Sequence, residues 1–145
     1  MIDQSPQDYF RMILLTVVGQ AFTAAGYRLE ERPIQWAGGN FRFAKPLEKG
    51  LQAVIEFQLL SYSDTPFVSG QPSRFRVTVS RSDGVSRTLS ALVVEDFGVA
   101  ILPSADHWWT FRNTDELGRA LAEAGHLIVG YGMPWLSGDL VPPSG

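Results

Sequence analysis

Cysteine is absent from all 145 residues, so the chain has no disulfide, no thiol nucleophile and no thiolate metal site. Histidine occurs only at His107 and His126, with no His-x-His, no His-Glu-x-x-His and no acidic calcium loop, so the usual metal spacings are missing. Gly-x-Ser-x-Gly elbows and phosphate loops are missing too. Gly130-Tyr131-Gly132 follows a helical pattern, lacks a third glycine and runs into Pro134, unlike a dinucleotide-binding loop. These gaps argue against the common enzyme classes, and no cofactor is expected. Lysine is confined to Lys45 and Lys49, and the net charge is −3. That is the wrong sign for a domain that binds by neutralising phosphates, so nucleic acid is not an expected partner. No apolar run approaches the roughly 20 residues that span a bilayer, so no membrane is expected either. The apolar run from Met12 to Val18 follows Asp3 and Asp8 and lacks the positive flank of a secretory signal, which makes the cytoplasm the expected location.

What is present reads as one α+β domain over 1–145. A domain of this length buries roughly 70% of its unfolded surface and needs no staple to fold. The central stretch runs from Leu51 to Tyr62. Leu51, Ala53, Ile55, Phe57 and Leu59 alternate with Gln52, Glu56 and Gln58, the period of a strand with one buried face. Phe41 and Phe43 repeat that alternation, as do Phe75, Val77 and Val79 between Arg74 and Ser80. Ser82-Asp83-Gly84 is a hairpin turn. A partner strand is expected over about Arg87 to Val94, and a further short one with Val99 and Ile101 in register. The middle of the chain is therefore predicted to be an antiparallel meander of four or five strands.

A helix is predicted on each side of it, giving a two-layer fold. Ser5-Pro6 with Asp8 is a helix start and Gly26 a stop. Between them Phe10, Ile13, Leu14, Val17, Val18, Ala21, Phe22, Ala24 and Ala25 cover more than half of the circumference, so this helix is expected to touch the sheet and the second helix. Tyr27 to Trp36 reads as an exit segment with a short strand broken at Pro33, and Ala37 to Asn40 as a turn. Asn113 and Glu116 form a capping box that starts the second helix, with Leu117, Leu121, Ala124 and Ile128 at helical spacing. Gly118 and Gly125 weaken it by about 1 kcal/mol each. It ends near Gly125 or continues to Tyr131, and Gly132-Met133-Pro134 is expected to stop it.

Candidate binding residues fall in three places. The long connection from Ser63 to Ser73 carries Phe67 and Val68 where a plain turn would be polar, so these two contact a partner or tuck under the sheet edge. Asp106-His107-Trp108-Trp109 supports either an acid–base pair in an aromatic-walled pocket or a loop histidine leading into the second helix. In extended chain the two indoles face opposite ways, so both cannot enter one core pocket. The sheet's second face mixes Val54, Leu60, Leu92 and Val94 with polar residues. On it Arg42, Arg74 and Arg76 lie opposite Glu56, as ordinary cross-strand pairs or as contacts for whatever covers the face. Glu95-Asp96 reads as a solvated strand end whose two carboxylates point to opposite faces.

The order helix, meander, helix, closed by Tyr131-Gly132-Met133-Pro134-Trp135-Leu136, resembles the small bacterial α+β domains that occur as single-domain proteins, some of them immunity or accessory proteins. It is also similar in organisation to secretion chaperones, which dimerise and hold a partner on a twisted antiparallel sheet. The apolar residues on the mixed sheet face and in the Phe67 loop, in places a lone monomer would not put them, point to a non-catalytic domain that binds another protein or forms a homodimer. The resemblance transfers no catalytic residues. The alternative from the residues themselves is a small-molecule binder or enzyme with a pocket near Trp108, Trp109 and His107.

Overall fold

Ser5 opens the first helix, its Oγ accepting a hydrogen bond from the Asp8 amide at 3.0 Å, in a computed structural model that describes residues 5–61 and 72–143. This helix, α1, spans Pro6–Ala24. It buries Phe10, Leu14, Val18 and Phe22, one residue per turn, while Met12, Leu15 and Val17 stay exposed. The buried stripe is narrower than the sequence pattern implied, because α1 rests on the sheet and the C-terminal helix, meets a short helix only near its start, and leaves its far side in solvent. Gly26 closes it at φ 94°, where the Tyr27 amide donates back to the Phe22 carbonyl at 2.9 Å.

Strand β1 is Arg28–Leu29. Pro33 then opens a short helix, α2 (Pro33–Ala37), instead of merely breaking a strand, since proline in a first turn forfeits no hydrogen bond. The sheet continues through β2 (Asn40–Pro46), β3 (Gln52–Leu60), β4 (Ser73–Arg81), β5 (Ser86–Thr88) and β6 (Trp109–Phe111). All pairings are antiparallel, in the order β1-β2-β3-β4, and both β5 and β6 pair with β4. The core face alternates as predicted: Phe41, Phe43, Ile55, Phe57, Phe75, Val77 and Val79 are all buried. They pack beneath α1 and α4 (Thr114–Leu127), which also pack on each other. The fold is α+β, with an N-terminal helix, a six-stranded antiparallel sheet and a long C-terminal helix against α1.

Three local expectations are corrected. The strand expected over Arg87 to Val94 ends at Thr88, whose Oγ1 accepts from the Ala91 amide at 3.2 Å and starts α3 (Leu89–Ala91) and a π-helical turn (Leu92–Asp96). All five residues Leu89 to Val93 are buried, which an alternating strand with one wet face does not allow. Val99 and Ile101 form no strand, and Ile101 is exposed. The sixth strand is instead Trp109–Phe111, with Phe75 opposite Trp109. Finally, Met133-Pro134 does not stop the last helix. The chain passes through a π-helical turn (Ile128–Gly132) into α5 (Met133–Ser137), where Pro134 sits in the first turn, and ends at Gly138 with φ 85°.

Gly125 is a packing residue as well as a helix weakener. A Cβ there would lie 2.9 Å from Val18 Cγ1, so the missing side chain is what lets α4 approach α1. The start of α4 falls at the predicted residue, but Glu116 reaches past the cap to the amide before it. Asn113 Oδ1 accepts from the Glu116 amide at 2.9 Å, and Glu116 Oε1 accepts from the Arg112 amide at 2.8 Å. Asn113→Ala is expected to cost about 1 kcal/mol, read as a lower urea midpoint at unchanged denaturant slope.

Candidate functional site

The even positions of β2, β3 and β4 form the sheet face that points away from the core cluster. Here Arg42 stands opposite Glu56, Ala44 opposite Val54, Gln58 opposite Arg76, and Leu60 opposite Arg74. Val54 is only 5% exposed yet lies outside the core cluster. The next position along is supplied by the residue preceding β6. Because Trp109 faces Phe75, Trp108 falls on the side of Arg76.

Trp108 is half-buried, with the Arg74 guanidinium carbon 4.6 Å and that of Arg76 4.8 Å from its ring centroid. A cation over an indole face is attracted by the ring quadrupole, by about 0.5–1 kcal/mol at an exposed site. Arg76 Nε donates to Gln58 Oε1 at 3.0 Å. Arg74 Nε is out of solvent and has no hydrogen-bond acceptor among the described residues. Arg11, Arg32, Arg42, Arg81 and Arg87 each reach a carboxylate within 4.0 Å, whereas among the described residues Arg74 and Arg76, like Arg28, Arg112 and Arg119, reach none. The predicted pairing of these arginines with Glu56 is not what forms. Arg42 turns instead to Glu30, with Nε 3.1 Å from Oε1 in an ion pair too poorly aligned for a hydrogen bond.

His107 and Trp109 point the other way, toward the core. Trp109 is 4% exposed, stacks on Phe75 at 5.5 Å between centroids, and donates from Nε1 to Glu123 Oε1 at 2.9 Å. The imidazole of His107 meets the Trp109 ring edge-on at 4.7 Å. Its backbone amide donates to Ser90 Oγ at 3.2 Å, and that hydroxyl donates to the Ala105 carbonyl at 2.9 Å. Thus His107, Trp108 and Trp109 do not wall one pocket: two belong to the core side and one to the outer face. Asp106 is exposed, and the carboxylate that raises the His107 pKa is that of Glu123.

Burial is the larger influence on that imidazole and pulls its pKa below the usual 6.5, with Glu123 opposing. The folded state therefore holds this proton less tightly than the unfolded chain. Its contribution is at its most favourable above the unfolded value and declines as pH falls through it, levelling off below the folded one. The urea midpoint of the protein is expected to drop more between about pH 8 and about pH 5 than that of His107→Gln.

Phe67 and Val68 lie outside the described residues. Glu95 and Asp96 do not point to opposite faces, because they sit on the π-helical turn and both reach Arg87, at 3.0 and 2.8 Å. Among the described residues no group of histidine and acidic side chains could hold a metal, and no helix is long and apolar enough to cross a membrane. Concave places among the described residues sit elsewhere, one of them a hollow between the start of α1 and α2. A cleft of about 470 Å³ between the starts of α1 and α4 is lined by Tyr9, Phe10, Leu59, Phe111, Arg112 and Leu117, among others. A shallower groove between α1 and α4 is lined by Val17, Ala21, Ala122, His126 and Val129. No sequence signal marked the cleft, since its walls come from four separate stretches of chain.

The architecture is a two-layer α+β domain with helices on one sheet face and an aromatic–cationic cluster on the other. No protein-family model, curated protein or solved structure matches this chain.

Proposed function

We propose that this chain is a non-catalytic, cytoplasmic accessory domain of the immunity- or chaperone-like kind that binds another protein on its outer sheet face. The observation that carries the reading is that face itself: an indole, Trp108, flanked by two guanidiniums that have no carboxylate partner among the described residues, with Leu60 opposite Arg74. Tryptophan and arginine are the residues that most often anchor protein interfaces, and a flat sheet suits a macromolecule better than a metabolite. The test is co-purification with a partner whose mass is then determined. Thr78→Asp and Trp108→Ala are expected to abolish it, while Val129→Asp, in the groove between α1 and α4, leaves it intact. Loss only in Val129→Asp would move the interface to the helices.

The cleft beside Tyr9 favours a second reading, a small-molecule binder, on the ground of its apolar walls and the Arg112, Asn113 and Thr114 groups at its rim. A small excess mass in native mass spectrometry, released on denaturation and lost in Phe111→Ala, would support this reading over the first.

A further inference from the structure

We infer that the Arg74–Trp108–Arg76 cluster is a carboxylate-recognition site, and that the occupant of the outer face is an acidic segment of a partner protein. The inference rests on the proposed use of this face and adds the chemistry of what binds there. Two like charges held over one ring repel each other, and the residues opposite them in the sheet, Leu60, Gln58 and Thr110, are all neutral. Of the other eight arginines, Arg11, Arg32, Arg42, Arg81 and Arg87 are matched by a carboxylate and Arg28, Arg112 and Arg119 are not, but among the described residues only Arg74 and Arg76 stand over one shared ring. Among the described residues this pair is left with unused donors: Arg76 commits Nε to Gln58, and Arg74 Nε has no acceptor. A guanidinium over an aromatic ring keeps its edge free, and that edge matches a carboxylate in two parallel N–H···O bonds. The sign of the patch also opposes that of the chain, whose net charge is −3. A polyphosphate backbone would be repelled by the rest of the molecule, whereas a short acidic segment seated beside Leu60 and Trp108 meets only the local charge.

The experiment follows the arginine Nε–Hε signals of the full-length, nitrogen-15-labelled protein by NMR. The probes are a hexaglutamate peptide, a hexaglutamine peptide, inorganic phosphate and phosphatidylglycerol vesicles. Hexaglutamate is expected to shift the Arg74 and Arg76 signals and hexaglutamine to leave them unmoved. Arg74→Gln and Arg76→Gln, made singly so that the fold is kept and checked by the amide spectrum, each weaken hexaglutamate binding about tenfold. Equal shifts with hexaglutamine, or unchanged affinity in both variants, would overturn the inference. So would a response to phosphate or vesicles alone, or self-association through this face abolished by Arg76→Gln, which would make the occupant a second copy. If a partner is lost in Thr78→Asp but kept in both arginine variants, the face remains the interface and only its carboxylate chemistry falls.

Discussion

Phe75→Ala is expected to lower the unfolding free energy by about 4 kcal/mol, within the range for truncating a fully buried phenylalanine. Phe75 is completely buried near the start of β4. Its ring lies 5.5 Å from Phe10 on α1, 6.0 Å from Phe57 on β3, 5.5 Å from Trp109 on β6 and 6.4 Å from Phe111. It is the residue through which helix, central sheet and sixth strand touch one another, so its loss both opens a cavity and removes aromatic pairs worth about 0.5–1.5 kcal/mol each. Urea unfolding measures the change directly. A loss below about 1.5 kcal/mol would mean that β6 does not pack on β4 as described, because only an already loose site gives so little.

Gly39→Ala is expected to cost about 3 kcal/mol, the sum of left-handed backbone strain and a steric conflict. Gly39 has φ 88°, and a Cβ built on it would fall 2.4 Å from the Leu59 carbonyl oxygen. That closeness is structural: the Leu59 amide donates to the Gly39 carbonyl at 2.7 Å, tying the turn before β2 to the end of β3. Backbone cannot step aside as a flexible side chain can. Gly84 is the control, with φ 98° in the β4–β5 turn and nothing within 4 Å of its would-be Cβ. Gly84→Ala should lose only the strain, about 1–2 kcal/mol. Equal losses at the two positions would contradict the close approach at Gly39.

The parts of this fold that were legible in sequence are those set by local periodicity. Ala53, Ile55, Phe57 and Leu59 alternate cleanly and all four are buried, and Asn113 with Glu116 marks the start of α4 to the residue. The expectation that Trp108 and Trp109 face opposite ways follows from the same two-residue period. What was not legible depends on partners distant in sequence. Val99 and Ile101 alternate as convincingly as Trp109 and Phe111, and only the register against β4 selects the second pair. Leu89 to Val93 contains apolar residues in both phases, so a strand phase could be read from it although the chain turns helical there. Pro134 looked like a stop because a helix continuing through a π-helical turn has no local signature beyond the glycines, Gly130 and Gly132.

The candidate site divides along the same line. Arg74 and Arg76 were placed on one face by alternation, but their partner in the sequence reading was Glu56. The register instead sets them against Leu60 and Gln58, and brings in Trp108 from more than thirty residues away. The scattered walls of the cleft near Tyr9 had no local pattern at all.

Photo-crosslinking from the outer face tests the central claim most directly. A photoreactive amino acid is placed at Thr78, beside Arg76 on β4, and in a second variant at Val129, exposed on the groove between α1 and α4. Crosslinks to one acidic partner protein from position 78, with none from 129, are the result expected if the sheet face is the binding surface. Crosslinks from position 129 alone would contradict it and place the interaction on the helices.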